Sequence, residues 1–259
     1  MGHQHLGRLS RSRKWRQVVA LINGGAQVRD VAAATSAAAE SQMMDASGDA
    51  AIRHAVWLLA QIPIAARNPK FCSELQKIGL KVSEQPTLVE VTVAMVDAID
   101  RQVEGTGGRT DLGEMAQLSA VESLNAVAGR ELADLFGTSP ENTKAALAGL
   151  GTEKQFSILA RDFFARLCRR QLAFFLSREL SQHVGANGRF NTIRDHRDFE
   201  VALDLHCREA SRITKEFAGE WFSKHIYQGG ITPEKAARFA HVAFKKIREE
   251  LRRRRDGDA

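Results

Sequence analysis

Apolar side chains return every three or four positions along most of this 259-residue chain. That spacing is one face of an α-helix, and few stretches alternate as a strand would. Trp15, Val18, Val19 and Ile22 mark a helix over 12–23, which Gly24-Gly25 ends. An Ala-rich helix follows over 27–46. A third, over 49–67, carries Ile52, Ala55, Val56, Leu59 and Ile62, and Pro63 is expected to kink or end it. Residues 69–79 form a short helix. The valine-dense piece 86–104 fits both periods: Val89, Val91 and Val93 alternate, while Leu88, Val91, Met95, Ala98 and Ile99 make a helical stripe. Its length favours helix.

Start signals punctuate the rest. Asp111 with Glu114 opens a helix to about Phe136, Ser139-Pro140-Glu141 opens one to Gly149, and Thr152 with Gln155 forms a capping box. The helix behind that box runs over 153–183 and carries five of the 13 Phe. Phe199, Ala202, Leu203, His206, Ala210, Ile213, Phe217 and Trp221 predict a second long helix over 196–226. Thr232-Pro233-Glu234 opens the last one. The short Gly185-Ala186-Asn187-Gly188 loop implies that the two long helices pack antiparallel. The expected fold is therefore all-α, an irregular bundle of about nine helices. Gly105-Thr106-Gly107-Gly108 suggests a weak boundary between an N-terminal helical region, 1–104, and a C-terminal bundle with a basic tail, 110–259; one continuous bundle is the alternative.

Composition adds constraints. The chain is 44% hydrophobic and 26% charged, as expected of a soluble globular protein. The longest run free of Asp, Glu, Lys and Arg is His54 to Ala66, well short of the roughly 20 residues needed to span a bilayer. Cys72, Cys168 and Cys207 are odd in number and widely spaced, which argues for reduced thiols and a cytoplasmic setting.

Net charge is +6 but uneven. Residues 1–30 carry six Lys/Arg against one acid, 31–150 nine against fifteen, and 151–259 22 against 15. Basic ends around an acidic middle imply an anionic partner or pairing between segments. The candidate nucleic-acid contacts are Arg11, Arg13, Lys14 and Arg16 at one end, with Trp15 available to stack on a base. At the other end they are Lys245, Lys246, Arg248, Arg252, Arg253, Arg254 and Arg255.

Catalytic and metal signatures are weaker. The Gly-rich loop at 105–108 lacks the Lys-Ser/Thr ending of a phosphate loop, and Asp111 and Glu114 would repel phosphate. No His follows Glu at the spacing of a di-iron helix, and neither H-E-x-x-H nor His-Asp occurs. Cys168, His183, His206 and Cys207 are the only set with any claim to zinc. His206 and Cys207 point about 100° apart on a helix, so no metal and no cofactor is expected. His206, on an apolar stripe with Glu209 three residues on, is the one candidate general base, with Glu114 a possible partner. Glu114 and Glu122 themselves lie two turns apart and read as surface charge. The expected function is a non-catalytic helical binding protein, a subunit or adaptor with a protein partner, whose basic ends contact nucleic acid or an acidic surface. The alternative is a helical enzyme with a His206/Glu209 pocket.

Overall fold

A computed structural model describes residues 12–41, 48–106, 108–133, 139–185 and 188–257. Among these residues the regular structure is eleven helices, with no strand. The helices are α1 (Arg13–Asn23), α2 (Val28–Ala38), α3 (Ala50–Ala66), α4 (Phe71–Lys77), α5 (Leu88–Glu104), α6 (Asp111–Ala133), α7 (Pro140–Gly149), α8 (Glu153–Gln182), α9 (Ile193–Ala210), α10 (Ile213–Tyr227) and α11 (Pro233–Asp256).

Their starts follow local chemistry. Ser12, Asp49, Thr87, Ser139, Thr152, Thr192 and Thr232 each accept a hydrogen bond from a backbone N–H in the first turn, satisfying donors that a helix leaves open. Thr87 settles the ambiguous valine segment as helix α5. Pro63 does not stop α3, which runs on to Ala66. α2 is shorter than expected, and residues 42–47 lie outside the described ones, as do residues 134–138 at the expected end of α6.

Two helices act as hubs. α3 holds the charge-free run and packs against α5, α6, α7 and α11. α8 packs against α6, α9 and α10, and Phe156, Leu159, Phe163, Phe164, Leu167, Leu172 and Leu176 on it are buried. Buried side chains from Trp15 to Leu251 form one cluster. Its aromatic centre stacks Phe156 on Phe222 at 4.1 Å and Trp221 on Phe239 at 4.2 Å, joining α8, α10 and α11. Trp57 Nε1 and Gln61 Nε2 both donate to the Ile231 carbonyl, at 3.0 and 2.8 Å, and tie α3 to the turn before α11.

The segment 193–227 returns antiparallel along α8, as the short loop implies. Ser223 meets Glu153 near one end and Asp204 meets Arg169 farther along. It does so as two helices instead of one. At Ser211-Arg212 the backbone tightens: Arg212, Thr214 and Lys215 donate to carbonyls three residues back, at 3.0, 3.1 and 2.9 Å. No Gly or Pro marks this break, so periodicity reads straight across it. The break lets α10 turn onto the start of α8. There a Cβ on Gly219 would lie 2.6 Å from the Glu153 carbonyl oxygen, so only glycine permits the approach.

No helix among the described residues is long and apolar enough to cross a membrane.

Candidate functional site: a basic face and an arginine-rich cleft

The two basic ends of the chain come together. α2 lies between α1 and α11 and packs on both. Glu40, just beyond α2, accepts Lys14 Nζ at 3.3 Å and Arg248 Nη1 at 2.7 Å. Around this junction Lys245, Arg252 and Arg255 stand at three- and four-residue steps from Arg248, on one side of α11. Lys245 and Arg252 are exposed and form no ion pair among the described residues, and the same holds for Arg13 and Arg16 on α1. The other candidates are engaged locally. Arg253 and Arg254 share Glu250 at 3.3 and 3.2 Å, Arg255 meets Asp256 at 2.9 Å, and Lys246 sits 5.6 Å above the Phe217 ring. Arg11 lies outside the described residues. Trp15 corrects an expectation: it is 4% exposed, sealed in the core, and has no face free to stack on a base.

The His206 constellation does not assemble. α9 buries Phe199, Leu203, Cys207 and Ala210, so the core stripe runs through Cys207, and His206 is only half-buried beside it. Burial lowers the His206 pKa, helped by Arg254 and Arg29 and opposed by Asp30. These charges come from α11 and α2. Glu209 turns the other way, to Arg212 at 2.9 Å and Arg161 at 3.7 Å. Glu114 is exposed in the first turn of α6. The two residues with a claim to acid–base chemistry thus have separate neighbours.

Of the zinc candidates, only the thiols Cys168 and Cys207 meet, across the α8–α9 interface. A hydrogen bond with Cys168, followed by burial, pushes the Cys207 thiol well up, which favours a protonated, inert sulfur. His183 caps the far end of α8. No group of three or more metal-ligating side chains gathers among the described residues.

The second feature was not read from the sequence. Arg166, Arg169 and Arg170 of α8 form the floor of an open cleft of about 300 Å³, walled by Glu122 of α6 and by Arg197, Glu200, Val201, Asp204 and Arg208 of α9. Glu122, expected to be plain surface charge, accepts Arg166 Nη1 at 2.8 Å and Arg170 Nη2 at 2.6 Å, one guanidinium on each oxygen. Asp162 accepts Arg166 Nε at 2.6 Å. Burial works against the Arg166 charge, but the bonds to Asp162 and Glu122 outweigh it and hold its pKa above the usual value. The available signal was Arg169-Arg170 standing in an otherwise Phe-rich helix, together with the Asp162–Arg166 and Asp204–Arg208 pairs at four-residue spacing.

Comparison with protein-family models, with curated proteins and with solved structures gave no match to this chain.

Proposed function

We propose that this protein works by binding, as a subunit or adaptor of a larger assembly, and that the face made by α1 and α11 holds the phosphate backbone of a nucleic acid. The observation that carries the reading is the convergence of Lys14 and Arg248 on Glu40. Folding collects cations from both ends of the chain onto one face and uses one carboxylate to hold them there. Because Glu40 is occupied by two cations, it opposes a phosphate weakly. Lys245 and Arg252, within one turn of Arg248 on α11, remain exposed without ion pairs among the described residues, and Arg13 and Arg16 are exposed on α1 in the same state. With Trp15 buried, the reading rests on electrostatics alone, so contact is to backbone and not to sequence.

Fluorescence anisotropy with labelled duplex DNA and single-stranded RNA, titrated with salt, tests the reading. Affinity should fall steeply with salt and differ little between sequences. The double variant K245E/R252E should bind more weakly and lower the log–log salt slope by roughly 0.9 per lost duplex phosphate contact. No binding at low salt, or an unchanged double variant, overturns the proposal.

A further inference from the structure

Two helices carry outward faces that nothing among the described residues covers, and the two faces match. α5 packs inward through Val91, Met95, Ala98, Ile99 and Val103. Its other side presents Val89, 70% exposed, and Val93, 56% exposed, followed by Asp97 one turn on. Asp97 is exposed and forms no ion pair among the described residues, and Glu104 is exposed further along the same side. α9 packs inward through Phe199, Leu203, Cys207 and Ala210. Outward it presents Ile193, 79% exposed, Val201, 61% exposed, and Leu205, 59% exposed. Arg194 and Arg197 stand among them, exposed and unpaired in the described structure. Beside Val201 the cleft brings five arginines against three carboxylates, a surplus of positive charge.

We propose that the α5 face of one copy of this chain docks on the α9 face and arginine cleft of a second copy. The register supports one orientation. Read from the N-terminus, α5 runs Val89, Val93, Asp97 and α9 runs Arg197, Val201, Leu205, both in four-residue steps along one helix face. Antiparallel apposition sets Val89 against Leu205, Val93 against Val201 and Asp97 against Arg197. Parallel apposition would set each charge against an apolar residue. α6 and α9 flank α8 with little contact between them, which leaves the groove open to a helix. The same charge pattern is visible on the scale of the chain, in the acidic middle third and the basic final third. The contact joins two different surfaces, so it is heterologous.

This proposal stands on faces other than the α1–α11 surface and fails or survives independently of it. Nuclease-treated protein is followed by sedimentation velocity at about 100 µM, a concentration suited to an interface of the small class. The wild type should sediment faster as concentration rises, and less so in high salt. D97R alone and R197D alone should each remain monomeric. An equimolar mixture of the two should associate again, because the reversed charges meet in the hetero-contact. Both positions are exposed, and thermal melts matching the wild type exclude unfolding as the cause of any loss. A wild type that stays monomeric, single variants that associate like the wild type, or a mixture that stays monomeric overturns the proposal. A monomeric wild type that binds an added acidic amphipathic peptide on α9 assigns the face to another protein and likewise overturns self-docking.

Discussion

Arg248 donates to Glu40 at 2.7 Å across 208 positions of sequence. Lys14 reaches the other oxygen of the same carboxylate, so one acid joins the first and last described helices.

Replacing Glu40 by Gln should therefore separate stability from binding. Both ion pairs are partly exposed, so the loss of stability should be about 1 kcal/mol or less. Removing the negative charge makes the face more cationic, so nucleic-acid affinity should rise. Urea denaturation and anisotropy on the same variant check the two halves.

Arg189 makes a different kind of long-range tie. Its guanidinium donates to the carbonyls of Leu21 at 3.3 Å and Ile22 at 3.2 Å, and also to that of Ala26. It lies 4.9 Å from the Phe199 ring centre. These carbonyls lie at and just beyond the end of α1; those of Leu21 and Ile22 also accept the Ala26 and Gly25 N–H at 3.0 and 3.2 Å, so Arg189 takes their second lone pairs. Arg189→Ala should cost about 2–3 kcal/mol. Arg189→Lys should recover little of that, because an ammonium cannot fork among three carbonyls and stack on a ring together. Denaturant midpoints of the three proteins test it.

Acid should weaken the fold through His54. Burial, reinforced by Arg101, lowers its pKa from 6.5 to about 4. Between these values the unfolded chain takes up the proton and the folded one does not. The stabilisation is complete above pH 6.5 and is lost as pH falls toward 4, amounting to about 3 kcal/mol. His206 shifts in the same direction. Stability measured against pH should show this limb, and His54→Leu should flatten it; an unchanged limb in that variant rejects the assignment.

A pair of glycines separates crowding from flexibility. A Cβ at position 219 would meet Glu153 Cγ at 2.5 Å and its carbonyl oxygen at 2.6 Å, whereas one at position 129 meets nothing within 4 Å. Gly219→Ala should destabilise by about 1–3 kcal/mol by pushing α10 off α8. Gly129→Ala, inside α6, should stabilise by about 0.5–1 kcal/mol. Thermal melts of both variants give the sign of each effect.

The helices were legible because their causes are local. A Thr or Ser three residues before an open N–H, or a Phe every third or fourth position, acts within one or two turns. Thr152 before α8 and Thr232 before α11 show this directly. The break at Ser211 was not legible, because its cause is the seating of α10 on the first turn of α8 and not a local breaker residue. The assignment of Trp15 failed for a similar reason. A ring among four cations reads as exposed until the packing of α1 into the core buries it.

By itself, the order of residues determined an all-helical chain, the starts of most of its rods and the uneven distribution of its charge. Tertiary structure alone decided that the two basic ends share Glu40, that Glu122 sits between Arg166 and Arg170, and that His206 and Glu209 part company. Periodicity and capping act over a few residues, whereas an ion pair across 208 positions exists only after the rods have chosen their neighbours.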